Sequence, residues 1–190
     1  LCHQNLSLLR NRRLHRMLEL AGHELRLGLP GPGDGVLVWG ASPTAWRGEA
    51  VAALRGVPLV RVEDAFLRSV LPGRAGGSAP LGLLVDPVGV HFDSSRPSRI
   101  EQILSDPDLY NSNILHEADR LTYCLLESGL SKYNNFVPDL PCPDPGYVLV
   151  VDQTRGDASI RGSGASEATF HAMLDRAKAD HPGTRIVLRS

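Results

Sequence analysis

The chain has 190 residues, of which 42% are hydrophobic and 22% are charged, as is typical of a folded globular protein and not of a disordered one. Its 20 basic and 21 acidic side chains leave a net charge of −1, which argues against a nonspecific nucleic-acid binder. Three cysteines without CxxC spacing argue against a disulfide framework and a zinc site, and no apolar run reaches the roughly 20 residues of a membrane span. We expect a cytoplasmic fragment of a longer chain, because no signal peptide precedes Leu1 and the last residues resemble a strand without its following loop.

The first third of the chain alternates between helical and extended patterns. Gly22 and Gly56 are the expected helix stops, and Ser42 followed by Pro43 is the expected start of the second helix. Two strands joined by a short crossover helix favour a parallel sheet covered by helices. The predicted elements are a helix with apolar residues from Leu6 and Leu9 to Ala21, a strand at Val36–Trp39, a helix from Ser42 to Leu54, and a strand at Pro58–Val62 that ends at Glu63-Asp64.

The middle of the chain departs from this alternation. A loop rich in glycine and serine, from Leu71 to Ala79, precedes two short strand candidates that are joined by a turn at Asp86–Gly89. Two helices follow, the first with Pro97 in its first turn and the second stopped by Gly129. The predicted elements here are strands at Leu81–Val85 and Val90–Phe92, and helices at Ser95–Leu104 and Ile114–Ser128.

The last part of the chain predicts a second βαβ unit. A proline-rich connector precedes it, and we expect a hinge within residues 137–146. The predicted elements are a strand at Tyr147–Val151, a helix at Ser166–Ala179 and a strand at Arg185–Ser190. The expected fold class is therefore α/β, with residues 1–190 forming one incomplete Rossmann-like lobe built on a mainly parallel sheet.

Two loops are the first candidates for a site, because ligands of open parallel α/β sheets bind beyond the carboxyl ends of the strands. Glu63–Ser69 and Asp152–Ser159 follow strands and place carboxylates beside arginines. That combination suits reactions on anionic substrates. Helix caps and surface salt bridges use the same residue types, so a structural role stays open for both loops.

A collinear series of short sequence strings covers the chain from about residue 15 to its end. The strings are Val38-Trp39-Gly40, Val62–Ser69, Pro80-Leu81, Val85-Asp86, Phe92-Asp93, Pro97-Ser98, Leu130–Asn134, Gln153 and Asp157–Ile160. In order and spacing they resemble the capsule polysaccharide biosynthesis family of Gram-negative bacteria (KpsC-type), the retaining β-Kdo glycosyltransferases. The resemblance implies that the chain is the first half of a two-lobed, GT-B-like glycosyltransferase module.

The resemblance also implies substrates and partners. Members transfer 3-deoxy-D-manno-oct-2-ulosonic acid (Kdo) from CMP-Kdo and build the poly-Kdo linker of the capsule on a phosphatidylglycerol-type lipid. We therefore expect CMP-Kdo and that lipid as substrates, capsule assembly and export proteins as partners, and a place at the cytoplasmic side of the inner membrane. In the family the final strand continues into the nucleotide-binding half, so the fragment alone is expected to be inactive. The basic stretch Arg10–Arg16 is a candidate for headgroup contact, although a solvated helix face is the alternative.

The resemblance assigns the catalytic roles. Retention of the anomeric configuration can be achieved by two successive displacements through a covalent glycosyl-enzyme intermediate. That route needs a carboxylate nucleophile and a second group for proton transfer. Asp157 matches the family's Asp-x-Ser-Ile string and is the predicted nucleophile, with a helix N-cap as the structural alternative. Glu63 is the predicted acid/base or acceptor-activating group, and the neighbouring Asp64 is the competing choice.

The predicted substrate-binding set follows from the charge of Kdo, which carries a carboxylate of its own. Arg68, Lys132 and Arg155 are the cations available to bind it, each with a surface salt bridge as the alternative. Gln153 and Ser159 complete the set as groups that orient the nucleophile by hydrogen bonding. We predict no cofactor and no metal, because the seven histidines show no ligand spacing and no Asp-x-Asp motif is present.

Two other classes of function are alternatives to the enzyme. The first is a non-catalytic interaction domain in a capsule assembly or export complex. It is disfavoured because both Glu63 and Asp157 are intact, whereas a decayed catalytic module is expected to lose one. The second is a dehydrogenase-type nucleotide domain, which is disfavoured because no GxGxxG motif follows Val36–Trp39.

Overall fold

The structure is a computed structural model, and its described residues divide into two compact units. Unit 1 comprises Leu1–His91 and Pro97–Phe136, and unit 2 comprises Phe92–Arg96 and Val137–Ser190. The hinge within residues 137–146 stays a prediction. Parts of that hinge, of the first predicted helix, of the glycine-rich loop and of the last strand lie outside the described residues, which exclude Leu6, Ser7, Leu9, residues 73–78, Phe136, Pro138, Leu140 and Ser190.

Unit 1 is built on one mixed sheet with helices around it. Its elements are β1 (Cys2–His3), α1 (Arg12–Leu20), β2 (Arg26–Leu27), β3 (Val36–Trp39), α2 (Ala45–Arg55), β4 (Leu59–Asp64), β5 (Leu83–Asp86), α3 (Arg99–Leu104), a 3₁₀ helix (Pro107–Tyr110) and α4 (Ser112–Glu127). Among the described residues, the five strands lie in the order β2-β1-β3-β4-β5. β1 to β4 are parallel and β5 is antiparallel to β4, so the predicted α/β class with a mainly parallel sheet is confirmed.

The core of unit 1 lies on both faces of β3, whose four apolar residues form one short run. Leu37 belongs to a buried cluster with Leu14 and Leu18 of α1 and Val62 of β4. On the other face α2 lies so close that a methyl group at Gly48 would overlap the side chain of Val38. Burying such side chains contributes roughly 1.5–3 kcal/mol each, which explains why a strand of four residues is stable at this position.

Two helices of unit 1 begin later than the sequence predicts. α2 starts at Ala45 because the backbone N–H of Ser42 donates to Trp39 O (3.0 Å) and closes a turn before the helix. α3 starts at Arg99, not at Ser95, because Ser98 is its N-cap and exchanges hydrogen bonds with Glu101 in a capping box. Pro43 and Pro97 therefore lie in turns that precede α2 and α3.

The predicted strand at Val90–Phe92 is wrong, and the buried carboxylate of Asp86 explains why. Its Oδ1 accepts hydrogen bonds from the backbone N–H groups of Val88 (2.7 Å) and Gly89 (2.9 Å), and its Oδ2 accepts one from the backbone N–H of Arg99 (2.8 Å). These three bonds turn the chain away from the sheet directly after β5 and lead it to α3. The first strand candidate of this region is present, shifted to Leu83–Asp86.

Helix α4 is the longest described helix and is almost entirely exposed. Its apolar face includes Ile114 and Leu121, and Gly129 follows it with a positive φ of 59°, as the predicted stop requires. Within the part of the chain that the structure describes, no helix combines the length and the apolarity needed to cross a membrane.

Unit 2 contains the predicted second βαβ arrangement. Its elements are β6 (Tyr147–Val151), a short α5 (Ala158–Gly162), α6 (Glu167–Asp180) and β7 (Arg185–Arg189), and β6 pairs with β7 in parallel. Among the described residues of this unit, Val150 is the one buried hydrophobic side chain. Helix α5 was not predicted, and neither were the two-residue strands β1 and β2 or the 3₁₀ helix of unit 1.

Candidate functional site

The two candidate acids of unit 1 are the last two residues of β4. Successive side chains of a strand point to opposite faces, so Glu63 and Asp64 cannot both face the same ligand. The carboxyl end of β4 adjoins that of β3, because the parallel register pairs Trp39 with Val62. The fold therefore gives the two acids different surroundings.

The carboxylate of Glu63 lies against the backbone of Gly40, the residue that follows β3. A methyl group at position 40 would overlap Oε1 of Glu63, and Gly40 has a φ of +39°, which side-chain-bearing residues rarely adopt. The backbone N–H of Gly40 extends the ladder by donating to Val62 O (2.9 Å). The positive φ favours glycine at position 40, and the end of the Glu63 side chain lies in the space that a side chain there would take.

Asp64 is bound to a buried arginine. Arg68 Nε donates to Asp64 Oδ2 at 2.7 Å, with the two side chains 10% and 20% exposed. The guanidinium also donates to Ser69 Oγ (2.7 Å) and to the carbonyl oxygen of Leu71 (3.3 Å). Asp64 Oδ1 is buried and has no hydrogen-bond partner among the described residues. This geometry holds the loop after β4 in one conformation.

A second loop pairs with this one, although the two lie some sixty residues apart in the sequence. The backbone N–H groups of Arg68 (3.0 Å) and Ser69 (3.3 Å) donate to Lys132 O, and that of Asn134 donates to Val70 O (2.9 Å). The Lys132 side chain is exposed, with its ammonium group 5.8 Å from the ring centroid of Tyr133. Backbone hydrogen bonds thus join two strings of the resemblance, Val62–Ser69 and Leu130–Asn134.

Asp157 is the N-cap of the short helix α5 in unit 2. Its Oδ1 accepts hydrogen bonds from the backbone N–H (2.9 Å) and the hydroxyl group (2.8 Å) of Ser159. The helix cap that the sequence left open for Asp157 is therefore present. Its role as a nucleophile and the role of Ser159 in orienting that nucleophile stay predictions.

A cleft of about 470 Å³ lies beside this loop at the carboxyl end of β6. The predicted binding residues Gln153 and Arg155 line it, together with Glu167, Phe170 and His171 of α6, which the sequence analysis did not select. Arg155 Nη2 donates to Glu167 Oε1 at 2.7 Å, and its side chain is 85% exposed. The i, i+4 spacing of Glu167 and His171 at a helix start was the signal that could have selected them.

The segment Phe92–Arg96 belongs to unit 2, where Ser94 Oγ donates to the carbonyl oxygen of Gly162 at the end of α5. The next two backbone N–H groups donate to carbonyl oxygens of α5 itself. Ser163 N–H donates to Ser159 O (2.9 Å), and Gly164 N–H donates to Arg161 O (3.3 Å). Two further strings of the resemblance, Phe92-Asp93 and Asp157–Ile160, therefore lie in the same unit.

The structure thus sorts the predicted site residues into two groups. No three His, Cys, Asp or Glu side chains among the described residues are grouped as metal ligands would be. The convergence of the two groups on one substrate stays a prediction, as do the catalytic and binding roles themselves. Unit 1 holds Glu63, Asp64, Arg68 and Lys132, and unit 2 holds Gln153, Arg155, Asp157 and Ser159.

Comparison with proteins of known sequence gives one family. The model of the family described as "Capsule polysaccharide biosynthesis protein" matches residues 34–141. The capsule polysaccharide modification protein LipA of Neisseria meningitidis serogroup B is 35% identical over 164 residues, which are 83% of this chain and 23% of that protein. The lipopolysaccharide-processing protein LpsZ of Rhizobium meliloti is 39% identical over 138 residues, 70% of this chain and 31% of that protein.

Comparison with solved structures gives two similar chains. Thermosulfurimonas dismutans KpsC, a β-Kdo 2,4 transferase, superposes with a TM-score of 0.85 at 31% identity, over 98% of this chain and 59% of that chain. A β-Kdo 2,7 transferase KpsC of the same organism gives a TM-score of 0.66 at 25% identity, over 99% of this chain and 60% of that chain. The chain thus spans about a quarter of the length of the LipA protein and three fifths of the solved KpsC chains. Because the family model matches more than half of its residues, the chain belongs to the capsule polysaccharide biosynthesis protein family.

Proposed function

We propose that the chain is the first lobe of a retaining β-Kdo glycosyltransferase that acts in capsule polysaccharide biosynthesis. The observation that supports this most is the likeness to the Thermosulfurimonas dismutans β-Kdo 2,4 transferase, with a TM-score of 0.85 over 98% of the chain. The donor is CMP-Kdo and the acceptor is a phosphatidylglycerol-type lipid or its Kdo-bearing product. The protein acts on the cytoplasmic side of the inner membrane, together with capsule assembly and export proteins, and without a cofactor or a metal.

The first chemical step is a displacement at the anomeric carbon of Kdo. A carboxylate oxygen of Asp157 forms a bond to that carbon, and the bond to the phosphate oxygen breaks, so that CMP leaves with the electron pair. Ser159 holds the attacking carboxylate in place through the two hydrogen bonds to Oδ1. The product of this step is CMP and a glycosyl ester of Asp157.

The second step transfers the sugar to the acceptor. An acceptor hydroxyl oxygen bonds to the anomeric carbon, the ester bond to Asp157 breaks, and Glu63 takes the hydroxyl proton. Two inversions in sequence retain the configuration. Asp64 is the weaker candidate for this base, because Arg68 donates to its Oδ2 at 2.7 Å and both side chains are largely buried.

The predicted substrate-binding cations differ in how they can serve the donor. Lys132 and Arg155 are exposed, so their charged groups can reach the carboxylate of a bound Kdo. Gln153 lines the same cleft as Arg155. Arg68 contributes by keeping the loop after β4 in place, since its guanidinium already donates to Asp64, Ser69 and Leu71.

The experiment uses the complete protein with CMP-Kdo and acceptor. Without acceptor, we expect a mass increment of one Kdo residue on the peptide that contains Asp157. Asp157→Ala should lose the adduct and at least about 1000-fold of the turnover. Asp175→Ala, which removes an exposed carboxylate from α6 of the same unit, is the matched control and should keep both.

The roles of the two acids of β4 are separated by a second pair of variants. Glu63→Gln should accumulate the adduct in the presence of acceptor, because the second step lacks its base, whereas Asp64→Asn should still turn over. Normal turnover by Asp157→Ala would exclude Asp157 as the nucleophile. Retained transfer in Glu63→Gln together with loss in Asp64→Asn would reverse the assignment, and an inert complete protein would favour the interaction domain.

A further inference from the structure

Arg61 is a largely buried arginine that the proposed mechanism does not use. It lies two residues before Glu63 on β4, so the two side chains project from the same face of the sheet. Its Nη1 donates to the carbonyl oxygen of Gly40 at 2.6 Å, and its Nη2 donates to Glu49 Oε1 of α2 at 2.7 Å. The Arg61 side chain is 11% exposed and that of Glu49 is 41% exposed.

The two hydrogen bonds join three elements at one point. The planar guanidinium donates in two directions with fixed geometry, so it couples the end of β3 to α2 through β4. Both backbone polar groups of Gly40 are therefore hydrogen-bonded. Its N–H donates to Val62 O at 2.9 Å, and its carbonyl oxygen accepts from Arg61. We call Gly40, Arg61 and Glu49 together the Gly40 seat.

The Gly40 seat is the surface on which the Glu63 carboxylate rests. The carboxylate fills the space that a side chain at position 40 would take, so any shift of Gly40 moves the position open to it. A carboxylate at the end of a strand has several rotamers, and contact with a fixed backbone restricts them. The same face is shared with the turn held by Asp86, since Arg61, Glu63, Asp86 and Val90 line one narrow crevice.

We infer that Arg61, held by Glu49, is a positioning residue that fixes Gly40 and through it the carboxylate of Glu63. The catalytic consequence rests on the proposed function of Glu63, whereas the contact between Gly40 and Glu63 is a property of the fold. A role in stability alone would make Arg61 important whether or not Glu63 is present. A positioning role makes its catalytic effect depend on Glu63.

The first experiment measures Kdo transfer by the complete protein. Arg61→Lys keeps the charge but cannot donate to both acceptors at once, and we expect kcat to fall by about tenfold to 100-fold with KM changed less than twofold. Glu49→Gln should give a smaller loss of the same kind. Arg26→Lys, which alters another arginine–carboxylate pair of 2.7 Å at the far edge of the sheet, is the matched control and should keep kcat.

The decisive comparison repeats Arg61→Lys in the Glu63→Gln background. If Arg61 acts through Glu63, the substitution should cost no further activity there, because the group that it positions is already disabled. An equal loss of kcat in both backgrounds would overturn the inference and leave Arg61 with a structural role.

The second experiment needs no activity and tests the contact itself. Gly40→Ala and Gly56→Ala both place a methyl group at positive φ, but nothing lies within 4 Å of the new methyl group at position 56. By hydrogen exchange of β3 and β4 we expect Gly40→Ala to raise the local opening constant about tenfold more than Gly56→Ala, and the excess to vanish in the Glu63→Ala background. An excess that persists in the Glu63→Ala background would contradict the contact between Gly40 and Glu63 on which the inference rests.

The two experiments also separate this inference from the proposed function. If the complete protein transfers no Kdo but Gly40 and Glu63 remain coupled in hydrogen exchange, the contact between Gly40 and Glu63 stands and the enzymatic function falls. If transfer proceeds normally and no coupling is found, the seat falls and the enzymatic function stands.

Discussion

The two units differ in how their sheets are buried. In unit 1, β3 has helices against both faces, and Leu14, Leu18, Leu37 and Val62 form a closed core. In unit 2, the described part of the sheet has two strands, and apolar side chains such as that of Leu149 remain exposed. The two units therefore differ in how far their strands are buried within this chain, and burial of apolar side chains is the dominant favourable contribution to folding.

The same difference extends to the candidate acids. Glu63 is the penultimate residue of a strand in the well-buried sheet and rests on a backbone held by Arg61. Asp157 caps a helix of five residues and is oriented by Ser159, two residues further along the chain. Long-range contacts therefore fix the proposed base, and local contacts orient the proposed nucleophile.

The largest effect should come from the core. Leu37→Ala removes a side chain from the closed cluster and should lower the free energy of unfolding of unit 1 by about 3–4 kcal/mol. Leu149→Ala in β6, whose side chain is exposed, should change the stability of unit 2 far less. Hydrogen exchange resolved by peptide in the 190-residue chain measures both, and equal losses would contradict the difference between the units.

Two arginine–carboxylate pairs of equal length sharpen the comparison. Arg68–Asp64 in unit 1 and Arg155–Glu167 in unit 2 both have N···O distances of 2.7 Å, but only the first is buried. Arg68→Ala leaves a largely buried carboxylate without its partner and should cost about 2–3 kcal/mol, whereas Arg155→Ala should have no resolvable effect on stability. Denaturant unfolding of the two variants checks this, and similar costs would show that distance outweighs burial here.

A smaller effect is expected at the start of α3. Ser98 is fully buried and accepts a hydrogen bond from the backbone N–H of Glu101, while Glu101 accepts one from Ser98 N–H. Ser98→Ala removes half of this capping box and should cost about 1 kcal/mol. Ser98→Thr keeps the hydroxyl group and should recover part of the loss, which thermal unfolding can measure.

The smallest effect at neutral pH should come from His3 in β1. Burial lowers the pKa of this imidazole below its usual 6.5, an effect that the hydrogen bond from Asn5 N–H opposes and the nearby His15 reinforces. The unfolded chain therefore binds a proton below pH 6.5 where the folded chain does not, so the stability of unit 1 should fall as the pH falls through that value. His3→Gln should flatten this dependence, which thermal unfolding at a series of pH values can measure.

The elements that the sequence predicted best are those with a single dominant cause. Val36–Trp39 and Tyr147–Val151 are continuous apolar runs bounded by glycine, and both strands appear at the predicted residues. The capping pattern Ser98-x-x-Glu101 was readable as the start of α3, but Pro97 drew the predicted start too far upstream. The wrong strand at Val90–Phe92 shows the limit of pattern alone. The hydrogen bonds of the Asp86 carboxylate decide the path of the chain there, and the alternation of residue types does not reveal them.

The candidate site was predictable in part for the same reason. Ligands of open parallel sheets bind beyond the carboxyl ends of the strands, and this rule selected the loops of Glu63 and Asp157. It needs only the positions of the strands and helices of a βαβ unit along the chain, which the sequence pattern indicates. The contact of Glu63 with Gly40 and the bonds of Arg61 depend on the register of β3 against β4, and no spacing in the sequence encodes that register. The separation of Glu63 from Asp64 by environment therefore required the structure.

The antiparallel direction of β5 has a consequence for how relatives diversify. The connection from β4 to β5 leaves from the carboxyl end of β4 and returns to the same end of that strand, where Glu63 and Asp64 lie. Doubling the length of such a connection adds only about 0.6 kcal/mol of closure entropy. Insertions and exchanges between Ala65 and Gly82 can therefore remodel the approach to the two carboxylates while the buried strands keep their pairing. We expect acceptor preference to evolve in this connection, independently of the core.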